Sequence, residues 1–228
     1  MNRMKSYLTV AAIIAIMIGL LLLSVSVQAK DITDEVSIQK RIQIREEQGQ
    51  LSPNTFLIGK DAAYTVLIGT ITEKDSLLLW IDLQILKARK VKNLHVYINS
   101  MGGSGTDGLS YANQLMAIWP HCEVTTYGTG IVASAAIPIL LAGKHRIASS
   151  NTLFMIHKVR FTPQDPSGYT SRDLEANKEA TDIVESSYRE LLKIRTKLID
   201  EQINKFCDRT TWFTAKQALE WGFIDEIR

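Results

Sequence analysis

Two residues in the middle of the chain have the types and settings expected of an acyl-transfer site. Ser134 stands between Ala133 and Ala135, directly before an apolar run, and His157 ends a second apolar stretch, Leu153 to Ile156. A serine hydroxyl is a weak nucleophile until a base within hydrogen-bond reach accepts its proton, and histidine is the most frequent such base. The pattern predicts nucleophilic catalysis, with Ser134 as the nucleophile and His157 as the general base.

The segments around Ser134 favour this chemistry over a plain structural role. A serine among small residues also fits a close helix contact, which is the commoner situation when nothing else is present. Here residues 127–141 predict a strand, a sharp turn and a buried helix, so Ser134 falls at the helix start, where free backbone N–H groups can hold an oxyanion. Upstream, the strand residues Val96 to Ser100 lead into the glycine turn Gly102-Gly103. The amides of that turn are further candidate oxyanion donors.

The remaining histidines and the two cysteines carry no comparable signal. His95 falls near the start of a strand, and His121 and His145 fall in turns, so structural or solvated roles are predicted for them. Cys122 and Cys207 are predicted to be separate thiols. Neither has the spacing of metal ligands, so no metal and no cofactor are predicted.

The elements that must position these groups alternate between apolar strands and helices. This order predicts an α/β fold with a mostly parallel sheet. The expected strands cover residues 64–69, 94–98, 124–127, 146–148, 153–156 and 223–227, and the expected helices cover residues 72–87, 106–119, 172–197, 198–209 and 215–221.

A glycine motif offers a competing interpretation. Gly103 to Gly108 has the spacing GxGxxG, after a strand and before a helix, which is the pattern of a dinucleotide site. Such a site also needs an acidic residue at the end of the next strand. Glu123 precedes that strand, and its end, Tyr127-Gly128, has no acid. Dinucleotide binding is therefore the weaker hypothesis.

The N-terminus is predicted to lie apart from the globular domain. Residues 1–29 combine a basic start, an apolar run and small residues at Val27 to Ala29, which predicts a signal peptide or an uncleaved membrane anchor. Either would place the protein outside the cytoplasm, exported or anchored.

Residues 30–56 form a charged lead-in, and residues 57–228 form the domain. The 26 basic and 24 acidic residues nearly balance, so no nucleic-acid partner is predicted.

Four segments, in order, resemble the proteolytic subunit of the Clp protease, ClpP, within the ClpP/crotonase superfamily. They are Tyr97 to Gly103, Ala133-Ser134, Met155 to His157, and Ala218 to Asp225. The resemblance implies the ClpP/crotonase fold of repeated ββα units and a serine-type endopeptidase without a cofactor. It also implies that Ser134 is the nucleophile, that His157 is the base, and that the amides of Gly103 and Ala135 form the oxyanion hole.

The same resemblance implies an assembly and partners. The polar excursion and long helix from Lys158 to Lys197 would form a handle, the name used below for residues 158–197, which locks two rings together. Peptide or unfolded-protein substrates, a homo-oligomeric ring and an AAA+ unfoldase are implied, although an export signal would separate the chain from a cytoplasmic ATPase. Two alternatives are a catalytically weak or inactive assembly subunit and a crotonase-type enzyme acting on acyl-CoA, the latter leaving Ser134 and His157 without a joint role.

The third member of the catalytic triad departs from the family pattern. Alignment of residues 212–215 places Thr210 where the family has an aspartate, and Asp208 lies two residues earlier. Threonine can orient an imidazole but cannot stabilise imidazolium as a carboxylate does. Three possibilities follow. Thr210 assists a Ser134–His157 pair, and the continuous register of the alignment favours this one. Alternatively, Asp208 reaches His157 through a local shift, or the pair works alone and the site is slow or inactive.

Overall fold

The computed structural model describes residues 49–161 and 169–228, and residues 50–228 form one compact unit. The predicted signal peptide or anchor, residues 1–29, and most of the lead-in lie outside the described residues. Within residues 49–161 and 169–228, no helix is both long enough and apolar enough to cross a membrane.

Strands and helices alternate along the described chain, as the apolar pattern predicts. The strands are β1 (Thr55–Ile58), β2 (Ala62–Ile71), β3 (Asn93–Gly103), β4 (Glu123–Ala133), β5 (His145–Ala148), β6 (Leu153–Ile156), β7 (Thr211–Thr214) and β8 (Glu226–Ile227). The helices are α1 (Glu73–Ala88), α2 (Gly105–Ala117), α3 (Ala136–Leu141), α4 (Ser171–Arg195), α5 (Asp200–Cys207) and α6 (Ala215–Glu220).

The strands form one mixed sheet in the order β1-β2-β3-β4-β5-β8, which confirms the predicted α/β class. The strands from β2 to β8 on this path are parallel, and β1 is antiparallel at the edge. Strand β4 has two partners on one side: its first half pairs with β5, and residues Ile131–Ala133 pair with β6. Because β6 continues where β5 stops, the ends of β3, β4 and β6 meet at one place.

The predicted buried helix after Ser134 is present and fully enclosed. All six residues of α3, Ala136–Leu141, are buried between the sheet and helices α2 and α4. Ile137, Ile139, Leu140 and Leu141 are each 0 % exposed. Burial of each such side chain stabilises the fold by about 1.5–3 kcal/mol, so α3 anchors the turn that precedes it.

Several element bounds differ from those predicted. Strand β4 extends six residues beyond Tyr127, because its glycine-containing second half pairs with β6 rather than leaving the sheet. The short strands β1 and β7 were not predicted, and both are antiparallel additions to the sheet. Cys122 and Cys207 are separate, buried thiols, as predicted.

Candidate active site

Ser134 lies in a tight turn between β4 and α3, with a backbone conformation that residues other than glycine rarely adopt. Its φ angle is +54°, in the left-handed region. That conformation costs a residue with a Cβ about 1–2 kcal/mol. Two backbone bonds hold it: the N–H of Ser134 donates to the carbonyl of Met155 at 2.8 Å, and its carbonyl accepts from Ile137 N at 3.0 Å.

Two glycines allow neighbouring backbones to approach this turn. A Cβ on Gly102 would lie 2.7 Å from the Cβ of Ser134 and 2.9 Å from the amide nitrogen of Ala135. A Cβ on Gly108 would lie 2.5 Å from the carbonyl oxygen of Ala135. Any side chain at either position would therefore push the Ser134 turn out of place.

His157 follows β6 directly, and its imidazole faces Ser134. The distance from His157 Nε2 to Ser134 Oγ is 2.9 Å, and Nδ1 lies 2.5 Å from the carbonyl oxygen of Lys158. Because a carbonyl only accepts hydrogen bonds, Nδ1 carries the proton and Nε2 presents its lone pair to the hydroxyl. This tautomer is the one that accepts a proton from Ser134.

The candidate third residues, Asp208 and Thr210, both lie in exposed positions at or just after the end of helix α5. Thr210 is exposed, and in the described part of the chain no hydrogen bond joins His157 to Thr210 or to Asp208. Asp208 ends helix α5, and its Oδ1 pairs with Arg189 Nη2 at 2.8 Å. The acceptor at Nδ1 is a main-chain carbonyl, that of Lys158, which side-chain types in a sequence do not reveal.

A buried carboxylate that sequence analysis missed stands behind that carbonyl. Glu185 of α4 is 7 % exposed, and its Oε2 accepts from the backbone N–H of Val159 at 2.6 Å. Its Oε1 accepts from Arg189 Nε, also at 2.6 Å. Desolvation lowers the pKa of Arg189, but the hydrogen bonds that its guanidinium donates to Asp208 and Glu185 outweigh it and raise that pKa above its usual value.

Ser134 and His157 open onto a cleft of about 240 Å³. Gly103 and Ala135, the predicted oxyanion residues, both line it, and its mostly apolar wall comprises Leu109, Pro138, Val159, Val184 and Tyr188. The hydroxyl of Tyr188 is buried without a hydrogen-bond partner among the described residues, and burial raises the Tyr188 pKa well above its ordinary value. Among the described residues, no group of three or more His, Cys, Asp or Glu is placed to hold a metal ion.

The sequence profile of the family described as "Clp protease" matches residues 58–228. The chain belongs to the Clp protease family. The chain is 36 % identical over 149 residues to "ATP-dependent Clp protease proteolytic subunit 2" of Thermobifida fusca, a match covering 64 % of this chain and 70 % of that protein. It is 34 % identical over 138 residues to "ATP-dependent Clp protease proteolytic subunit 1" of Corynebacterium jeikeium, covering 60 % and 70 %.

A solved structure gives the same family. The chain superposes on "ClpP1 N165D mutant from Listeria monocytogenes" with a TM-score of 0.62 and 26 % identity, covering 72 % of this chain and 90 % of the other. The ClpP-like fold expected from four short segments is thus confirmed. In this Clp protease family member, the roles of individual site residues stay predictions, and the geometry of Ser134 and His157 is consistent with them.

Proposed function

We propose that the protein is a serine endopeptidase that cleaves peptide bonds through an acyl-enzyme on Ser134. The observation that carries this proposal is the 2.9 Å contact between Ser134 Oγ and His157 Nε2, at a turn fixed by α3. The names of the family relatives, proteolytic subunits of a protease, support the same reaction.

The proposed reaction moves one proton through His157 Nε2 in each of its two halves. Ser134 Oγ attacks the scissile carbonyl while its proton passes to Nε2, and the amides of Gly103 and Ala135 donate to the oxyanion. The imidazolium then gives this proton to the leaving amine as the C–N bond breaks. Water, deprotonated by the same nitrogen, attacks the ester, and the imidazolium returns that proton to Ser134 Oγ as the ester C–O bond breaks, which releases the second product.

The cleft favours an apolar side chain next to the cleaved bond. Leu109, Pro138 and Val184 line it beside the nucleophile, and none of the described lining residues is a carboxylate. Within the part of the lining that the structure describes, Arg160 is the one residue with a permanent charge, and it is exposed. Peptides with an apolar residue before the cleaved bond are therefore the proposed substrate class.

Labelling with a fluorophosphonate tests the proposal directly. We expect the protein to be labelled at one serine, and we expect Ser134→Ala to lose both the label and the cleavage of fluorogenic peptides while it keeps its melting temperature. Equal labelling of wild type and variant would reject Ser134 as the nucleophile. If a folded, assembled wild type takes no label, the protein is better explained as an inactive assembly subunit. That alternative is motivated by the missing carboxylate at His157.

Assembly into a ring through the handle is also proposed. Helix α4 exposes three large apolar side chains, Leu174, Ile183 and Ile194, and buries only Glu185, Tyr188 and Leu192 against its own domain. Family membership supports an oligomer. Native mass spectrometry should give a multimer, and a monomer at working concentrations would contradict the proposal.

We also propose that this peptidase acts outside the cytoplasm, because residues 1–29 have the sequence features of a signal peptide or membrane anchor. Cell fractionation with an antibody against the domain would test it, and a purely cytoplasmic signal would reject it. An exported enzyme would work without a cytoplasmic ATPase, so we expect cleavage of short peptides without added ATP or unfoldase.

A further inference from the structure

We infer that Glu185 supplies the negative charge of the missing triad carboxylate, acting on His157 through the peptide group between Lys158 and Val159. Glu185 is on this account a positioning residue, because it touches neither the substrate nor the imidazole. The inference rests on the proposed function, since it deepens the account of the same Ser134–His157 site.

The geometry is a chain of hydrogen bonds with a single peptide group in its middle. His157 Nδ1–H donates to the carbonyl of Lys158 at 2.5 Å, and the N–H of Val159 donates to Glu185 Oε2 at 2.6 Å. That carbonyl and that N–H belong to the same planar amide. A carboxylate that accepts from the N–H polarises the amide, so its carbonyl becomes a stronger acceptor for the imidazole proton. The link also fixes the rotation of the amide, because both of its polar groups are engaged.

The charges around Glu185 leave a net negative charge behind His157. Arg189 contacts Glu185 through Nε at 2.6 Å and Asp208 through Nη2 at 2.8 Å, so one cation stands against two carboxylates. Asn204 accepts from Arg189 Nη1 at 2.7 Å and adds no charge. The group therefore carries one net negative charge, which favours the imidazolium formed when Ser134 gives up its proton.

Other titratable groups around this network do not replace that charge. Tyr188 and Cys207 lie near Glu185, and burial raises the pKa of both, to about 12 for Cys207, so both are neutral at physiological pH. Arg160 lines the cleft beside His157, and Lys158 extends into solvent. Both of these are cations. Asp182, one turn before Glu185, interacts with Lys158 but is exposed and paired with Lys178 Nζ at 2.7 Å. Glu185 and Asp208 are thus the carboxylates connected to His157, through the N–H of Val159 and through Arg189.

Two substitutions with opposite electrostatic effects test the relay. Glu185→Gln keeps an acceptor for the Val159 N–H but removes the charge, whereas Arg189→Gln removes the neighbouring cation. We expect Glu185→Gln to lower kcat for a fluorogenic peptide about tenfold or more at unchanged KM, the order seen for outer partners of metal-bound histidines. We expect its pH–rate profile to rise at lower pH than wild type, and that of Arg189→Gln to rise at higher pH. Glu190→Gln, an exposed glutamate on the same helix, is the matched control and should change neither quantity.

The outcomes separate the relay from simple structural damage and from failure of the proposed function. Damage would lower kcat in both variants without moving their profiles in opposite directions, and that result overturns the inference. Loss of activity and a shifted profile in Thr210→Ala, with Glu185→Gln unchanged, would assign the orienting role to Thr210 and also overturn it. NMR titration of the His157 imidazole in the Ser134→Ala background needs no activity. If Glu185→Gln and Arg189→Gln move the midpoint of that titration in opposite directions, the relay is supported, even in a protein that no fluorophosphonate labels. If the midpoint does not move in opposite directions, the relay is rejected.

Discussion

Replacing Ser134 by glycine is expected to give a more stable protein than replacing it by alanine, although both changes remove the nucleophile. The two variants lose the same hydroxyl, so their difference reports on the backbone. Alanine keeps a Cβ at φ +54°, which costs about 1–2 kcal/mol, whereas glycine adopts that conformation without the steric penalty. Glycine loses about 0.5–1 kcal/mol through its greater freedom in the unfolded chain. The expected net advantage of Ser134→Gly is about 0.5–1 kcal/mol.

A thermal unfolding scan at equal protein concentration measures this difference. For a domain of 150–250 residues, 1 kcal/mol corresponds to about 2–4 °C in Tm, so Ser134→Gly should melt about 1–4 °C above Ser134→Ala. Ser186, exposed within α4, provides the matched control. There glycine should be about 1 kcal/mol less stable than alanine, because the helix favours alanine. An alanine variant of Ser134 that equals or exceeds the glycine variant would refute the strained turn.

Three further changes test the packing around the site and the stability of the fold. Gly102→Ala should slow fluorophosphonate labelling of Ser134 more than tenfold and lower Tm, because the new Cβ would lie 2.7 Å from the Cβ of Ser134. Unaltered labelling would contradict this close approach. Tyr188→Phe should raise the free energy of unfolding by about 1 kcal/mol in denaturant titrations, because its buried hydroxyl has no hydrogen-bond partner in residues 49–161 and 169–228. A loss of stability would show that the hydroxyl does have a partner. For Asp225, desolvation raises the pKa, but the hydrogen bonds from Arg146 outweigh it and hold the pKa below its ordinary value of 3.8. A lowered pKa contributes stability above the unfolded value that disappears as pH falls through the folded value. Asp225→Asn should therefore be less stable than wild type at pH 7 and approach it below about pH 4, and a difference that persists at low pH would exclude the ion pair as its cause.

The sequence indicates the nucleophile and base because their signals are local. Ser134 directly precedes an apolar run and His157 directly follows one, and such runs predict strands and buried helices whatever the rest of the chain does. The parallel sheet follows from the same pattern. The turn residues Gly102 and Gly103 are equally visible, because glycine marks sites of close backbone approach.

The remaining parts depend on contacts between distant segments. Glu185 lies on a helix whose surface is mostly charged, so its pattern predicts a solvated side chain, and only the fold brings it to the N–H of Val159. The acceptor at His157 Nδ1 is a main-chain oxygen, which no residue type identifies. Strand β7 has four residues and no periodicity of its own, and its pairing with β6 alone makes it a strand.

The position of Glu185 along α4 determines how far the helix can fray before catalysis is affected. It is the first buried residue of the helix, and the fourteen-residue stretch Ser171–Val184 contains none. Opening that stretch exposes almost no new apolar surface, so its amides should exchange with solvent long before those of the core. One more opened turn would free the carboxylate from Val159. In a single subunit, the boundary between slowly and rapidly exchanging amides therefore falls at Glu185. Contacts with another subunit that order Ser171–Val184 would also keep the Glu185 carboxylate on the N–H of Val159, and would thereby support catalysis.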